Sequence, residues 1–181
     1  MPLSEQRGNG AAIAVDLVNS WDEFDVPPEL LDARWLGRWL AWHGFERAAG
    51  LLGDADVPRA RELRGRLERA FDAADVDEAV GILNALVDEL GTPPRLERTP
   101  AGWELRAWPD EEAGLDSVVA RGALGLLEAI RDLGWTRFGR CSGTPCRCVF
   151  VDRSRNQSRR YCCGLCADRV AQAAYRRRRS A

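Results

Sequence analysis

The 181-residue sequence predicts an α+β fold that is mostly α: a helical unit over residues 1–136 carrying one β-hairpin, then a small cysteine-rich module over 137–181. Three observations predict it. Apolar residues recur at helical spacing through 31–42, 58–90 and 115–133, the core-facing stripe of amphipathic helices. Residues 95–108 alternate in part and enclose the turn sequence Thr99-Pro100-Ala101-Gly102, the pattern of a two-stranded hairpin. All six cysteines lie between 141 and 166, so the second unit has a chemistry the first lacks.

Each element follows in order. Residues 13–18 form an apolar run broken by Asp16 and followed by Asn19 and Ser20; its length fits a strand or the start of a buried helix. Val26-Pro27-Pro28 opens a helix, because proline suits the first helical positions. Leu31, Trp35, Trp39 and Trp42, with Leu36 and Leu40, give that helix its apolar stripe. Pro58 starts the next one, with Leu63, Leu67, Ala70 and Phe71 inward and Arg61, Arg64, Arg66 and Arg69 outward. Asp75 and Glu78 make a capping-box pattern for a third helix, which carries Val80, Leu83, Leu86, Val87 and Leu90 as its apolar positions and stops at Gly91-Thr92-Pro93-Pro94. After the hairpin a long helix runs from Leu115 to about Leu133, and Gly134 ends it.

Hydrophobic residues make up 45% of the chain, enough for a genuine core, and the formal net charge is only -2. That average conceals an asymmetry. Residues 137–181 carry twelve arginines against Asp152 and Asp168, a formal +10. Residues 1–136 carry fourteen arginines against twenty-six acids, a formal −12. No lysine occurs, so every basic contact has the planar, bidentate geometry that suits phosphate. The expected partner of the module is a polyanion, and the acidic unit is placed to mask it.

No stretch approaches the roughly 20 apolar residues of a membrane span, and residues 1–12 lack the basic start and apolar run of a secretory signal. The expectation is a cytoplasmic protein with no membrane association, in a compartment where thiols stay reduced. There, clustered cysteines bind metal rather than form disulfides.

Cys141-Ser-Gly-Thr-Pro-Cys146 is a C-x4-C turn, and Cys162-Cys-Gly-Leu-Cys166 is a C-x3-C pair one helical turn apart. Two such pairs framing a strand (146–152), an arginine loop (153–160) and a helix (about 164–179) predict a treble-clef-like zinc finger. Cys141, Cys146, Cys162 and Cys166 would hold one structural Zn2+. Cys148 and Cys163 are left as small hydrophobes, with Cys148 near enough to compete. Arg153, Arg155, Asn156, Arg159 and Arg160 in the loop, with Arg169, Arg176, Arg177, Arg178 and Arg179 on the helix, form a candidate nucleic-acid surface.

Enzymatic readings find little here. His43 is the only histidine, no Cys/His/Asn set can be assembled, and no glycine-rich phosphate loop is present. The chain is therefore read as a non-enzyme. Trp39 with Asp16 and Asn19 forms a candidate ligand pocket for a small-molecule effector; core packing and capping are the competing roles.

The stretch Phe150-Val-Asp152-Arg-Ser154-Arg155-Asn156-Gln-Ser158-Arg159-Arg160-Tyr161-Cys162, followed by Cys166 and Arg169, resembles the bacterial CGNR zinc finger. The signature tetrapeptide here is Cys166-Ala167-Asp168-Arg169, which keeps the Cys and Arg but replaces the Gly and Asn. Asp168 would repel phosphate, and any base contact by the replaced Asn is lost. Ala14-Val15-Asp16-Leu17-Val18-Asn19-Ser20 and the Trp/Leu helix after it resemble the ABATE domain that precedes this finger. The resemblance implies a stress-responsive transcription regulator, with a sensing or interaction domain at 1–136 and a duplex-DNA-binding finger at 137–181. Two other readings compete: an adaptor docking an acidic protein, and an RNA-binding protein. Few aromatics accompany the finger's arginines, which disfavours stacking on single strands.

Overall fold

The computed structural model describes residues 9–20, 32–90, 95–99, 102–106 and 114–179. Among these residues the chain is mostly helical, with one hairpin in the first unit and a cysteine cluster at its C-terminal end. The run at 13–18 is helical: α1 spans Gly10–Val18, capped by the Asn9 side chain on the Ala11 N–H. Helix α2 spans Ala33–Trp42 with Asp32 as its N-cap. Val26-Pro27-Pro28, where the sequence places the start of a helix, lies outside the described residues, as do Leu31 and the stop at 91–94. Trp35, Leu36, Trp39 and Leu40 are buried, whereas Trp42, the fourth residue of the stripe, is exposed.

A short helix, α3 (Glu46–Leu51), has too few apolar positions to announce itself in sequence. Helix α4 (Val57–Phe71) starts with proline in its first turn as expected. Helix α5 (Val76–Leu90) follows the Asp75 cap, whose carboxylate accepts the Glu78 N–H at 2.9 Å. The Glu78 carboxylate reaches back to the Ala74 N–H at 2.7 Å, one residue before the box would place it. Strands β1 (Arg95–Thr99) and β2 (Gly102–Arg106) pair antiparallel with Leu96 opposite Leu105. Helix α6 (Leu115–Leu133) ends at Gly134, whose φ of +89° is a conformation glycine adopts at no steric cost.

Helix α6 is the spine. Helices α1 and α5 both pack on it, and α4 packs on α1 and α5. The α1–α6 crossing is unusually close because three glycines meet there. A Cβ on Gly125 would lie 2.2 Å from the backbone of Gly10 and Ala11, and one on Gly122 would press on Ala14 at 3.1 Å. Gly125→Ala should therefore destabilise the protein by on the order of 2 kcal/mol, although alanine is the better helix former. The contrast is Gly81→Ala on α5, where a Cβ meets nothing within 4 Å; that change should stabilise by up to about 1 kcal/mol. Urea unfolding of the two variants checks the sign: equal shifts would mean that the crossing is not close-packed.

The C-terminal module adds β3 (Phe138–Arg140), a strand with no sequence signal of its own, paired antiparallel with β4 (Val149–Val151). The strands flank the cysteine turn rather than following it. Helix α7 spans Gly164–Arg179. Strand alternation splits β4 between two clusters: Val149 and Val151 enter the helical core, while Phe150 joins the cysteines. The helical core is thus completed from the C-terminal module.

Candidate metal centre

The metal centre is assembled from one turn and one helix start. The β3–β4 hairpin brings Cys141 and Cys146 to the two ends of its connecting turn, closed by the Cys141 N–H donating to the Cys148 carbonyl at 2.8 Å. Cys162 stands just before α7, and Cys166 is the helix's only buried residue. The four sulfurs lie within 4.8 Å of one another and all four residues are buried. Cys146 and Cys162 are 3.7 Å apart, Cys162 and Cys166 3.6 Å. Tetrahedral zinc with bonds of about 2.3 Å sets its sulfurs roughly 3.8 Å apart, so the donor set fits one zinc ion.

The surrounding polar groups suit a thiolate at Cys141. The Gly143 N–H points at the Cys141 sulfur at 3.4 Å. Burial works to raise the Cys141 thiol, but the N–H groups of Cys162 and Gly143 outweigh it and hold the thiol low. The other three favour the proton. Burial pushes Cys166 up to about 11 and pushes Cys146 up as well; the Cys148 thiol and then burial push Cys162 up. Four thiolates in so small a volume require a cation to balance them, and a divalent zinc supplies it. Cys148 shares the Phe150 face of β4 and is buried against this set; Cys163 is half-buried with its sulfur 3.9 Å from that of Cys162.

The arginine loop is organised from inside by Asp152. Its buried carboxylate accepts the N–H groups of Ser154 at 2.7 Å and Arg159 at 3.0 Å. Burial acts to raise this carboxyl, yet the Ser154 and Arg159 bonds and the Arg137 charge prevail and hold it below the usual carboxylate range. A carboxylate held low in the fold stabilises it above about pH 4 and loses that contribution as pH falls through the depressed value. Arg137 donates to the carbonyls of Asp152 and Ser154.

The candidate nucleic-acid residues divide. Arg159 turns inward in function though its residue is exposed: it donates to the carbonyls of Tyr161 and Cys162 and lies over the Phe150 ring at 5.0 Å. Arg153 reaches the Asn9 side chain at 3.4 Å. Arg155, Asn156 and Arg160 are exposed around the loop. Arg169 and Arg177 border a concavity of about 320 Å3 between α7 and the cysteine turn, with Ser142, Thr144, Val170 and Ala173. Arg176, Arg177, Arg178 and Arg179 are exposed in the last turn of α7, where positive charge also complements the helix dipole.

The three residues read as a ligand pocket are all buried. Trp39 is wholly buried, and Asp16 bonds the buried His43 Nε2 at 3.1 Å. Asn19 joins the two units: its Nδ2 donates to the Val149 carbonyl at 2.9 Å and its Oδ1 accepts the Val149 N–H at 2.7 Å. A cavity of about 500 Å3 is bordered by Arg121, Glu128, Asp132 and Arg153 among others. Sequence reading also missed Arg140, which clamps Asp72 with two bonds of 2.6 Å and Glu68 with one of 3.1 Å. Its position opposite two acids at the C-terminal end of α4 is visible only once the fold is known.

Residues 11–130 match the family model ABATE, described as "Putative stress-induced transcription regulator", and residues 137–179 match that of the CGNR zinc finger. Both matched families are regulatory or zinc-finger domains rather than enzymes. Comparison with curated proteins gives no match. No helix among the described residues is long and apolar enough to cross a membrane.

Proposed function

Because the chain belongs to the ABATE family and carries a CGNR zinc finger after that domain, we propose that it regulates transcription by binding duplex DNA through the finger. In this reading residues 1–136 form the sensing or interaction unit, residues 137–181 form the reader, and the protein works in the cytoplasm. The observation that carries the reading is α7. Sixteen residues long, roughly 24 Å, it buries only Cys166 and ends in four consecutive arginines. One end is fixed at the metal centre, and beyond it only Ala167, Val170, Ala173 and Ala174 are half-buried while the other side chains are exposed, at a size that a major groove admits.

The loop would add phosphate contacts from Arg155 and Arg160, with Asn156 beside them. The concavity at Arg169 and Arg177, with the Ser142 and Thr144 hydroxyls, would take a further phosphate. Arg159 would act indirectly, by holding the loop on Phe150. The test is binding of zinc-loaded full-length protein to duplex DNA, RNA and heparin across salt. Duplex binding should weaken linearly in log–log form, and Arg155→Ala or Arg160→Ala should each flatten the slope by about one. Absence of duplex binding at low salt would sink the proposal, and tighter binding to RNA would reassign the surface.

A further inference from the structure

Four of the six cysteines account for the metal; the other two lie against it. Cys148 is sealed in, but Cys163 is the one cysteine of the six that is not buried. Its sulfur stands 3.9 Å from that of Cys162, and Cys162 is central to the cluster, 3.7 Å from Cys146 and 3.6 Å from Cys166. Access is open on that side. Gly164 and Leu165 are exposed, and a Cβ built on Gly164 meets nothing within 4 Å. A half-buried cysteine with exposed chain neighbours therefore lies against the ligand that the other two contacts converge on.

We propose that Cys163 is an oxidation site through which a hydroperoxide opens the metal centre. The Cys163 sulfur attacks the peroxide: an S–O bond forms, the O–O bond breaks, and the peroxide is reduced to water or an alcohol while the thiol becomes a sulfenic acid. The Cys162 sulfur then attacks the Cys163 sulfur. An S–S bond forms, the S–O bond breaks, and the departing hydroxide takes a proton as water. In sum the Cys163 thiol and the Cys162 thiolate give up two electrons to one hydroperoxide, with one proton coming from Cys163 and the other from solvent water. The disulfide withdraws Cys162 from the donor set and leaves three protein ligands, which lowers metal affinity and frees the start of α7.

Neighbouring residues suit a reversible version of this chemistry. Adjacent Cα atoms are about 3.8 Å apart, closer than the usual span of a disulfide, so the Cys162–Cys163 bond is strained and easily reduced. The sulfurs need to close by roughly 1.9 Å from their present separation, which moves both side chains and strains the short backbone link between them. Thiol reductant and zinc together should restore the centre. This proposal concerns the same finger as the proposed function but stands without it, since its readouts are metal and disulfide rather than DNA.

The experiment treats zinc-loaded full-length protein with hydrogen peroxide, follows released zinc with a chromogenic chelator, and maps disulfides by mass spectrometry. The expected result is a fast phase of zinc release accompanied by a Cys162–Cys163 disulfide, reversed by dithiothreitol with added zinc. Cys163→Ser should load zinc normally and lose the fast phase, whereas Cys148→Ser should keep it. Zinc release from Cys163→Ser at the wild-type rate would overturn the proposal. Disulfide mapping on the wild-type chain decides independently of any variant: oxidised protein that has lost zinc while Cys163 stays a free thiol also overturns it.

Discussion

Cys166→Ser protein should purify without zinc and without the α7 helix signal in far-ultraviolet circular dichroism. Cys166 is the single buried residue of α7 and also one of the four converging sulfurs, so the helix has one anchor and the substitution removes it. Zinc binding to structural sites of this kind is worth about 10–16 kcal/mol, and in so small a module that binding free energy is the folding free energy. A serine hydroxyl is a poor substitute for a thiolate on zinc, so losing one ligand of four should leave the module unfolded at ordinary zinc concentrations. Cys141→Ser, Cys146→Ser and Cys162→Ser should behave alike, while Cys148→Ser should retain its metal. Elemental analysis is decisive: full zinc content in Cys166→Ser would falsify the ligand set.

The metal centre was legible in sequence because its determinants are local. C-x4-C with glycine and proline between the thiols is a turn whatever surrounds it, and C-x3-C is one turn of helix. The same holds for α6, whose apolar stripe and terminal Gly134 are both short-range signals. What escaped depends on contacts far apart in the chain. Asn19 and Val149 are 130 residues apart, and nothing in an apolar run ending in Asn-Ser says that its amide will pair with a strand. Strand β3 exists because β4 is there to pair with it. Gly10, Gly122 and Gly125 look like weak points in helices until α1 and α6 are seen crossing at backbone contact.

Charge behaves in the same way. The asymmetry between acidic and basic units was readable, but not where the two would touch. One contact is at Arg140, which is paired with Glu68 and Asp72 and is not among the arginines read as facing nucleic acid; Arg153, which is among them, lies near Asp132. Arginines of the helical unit are also engaged at home, as Arg59 is with Glu62, Glu89 and Asp116. The acidic unit thus spends part of its charge on its own surface and on the hairpin.

Asn19→Ala should destabilise the helical unit and the finger together, by on the order of 3 kcal/mol. The amide answers both the N–H and the carbonyl of Val149, and the site is buried, so truncation leaves two backbone groups without partners at about 1–3 kcal/mol each. Against a total stability of about 5–15 kcal/mol this is a large share. Asn19→Asp is the sharper probe. It keeps the shape and still accepts from the Val149 N–H, but sets a carboxylate oxygen against the Val149 carbonyl. The introduced carboxyl is then favoured in its protonated form by the fold, so its penalty is present at neutral pH and relieved as pH falls through its raised value, relative to Asn19→Ala at each pH. The link itself is measured by combining Asn19→Ala with chelation. Val149 lies in the helical core and follows Cys148 in the chain, so removing zinc from wild-type protein should also weaken the helical unit, and removing it from Asn19→Ala protein should weaken that unit less. Costs that add to within about 0.5 kcal/mol would show that the amide does not couple metal to core.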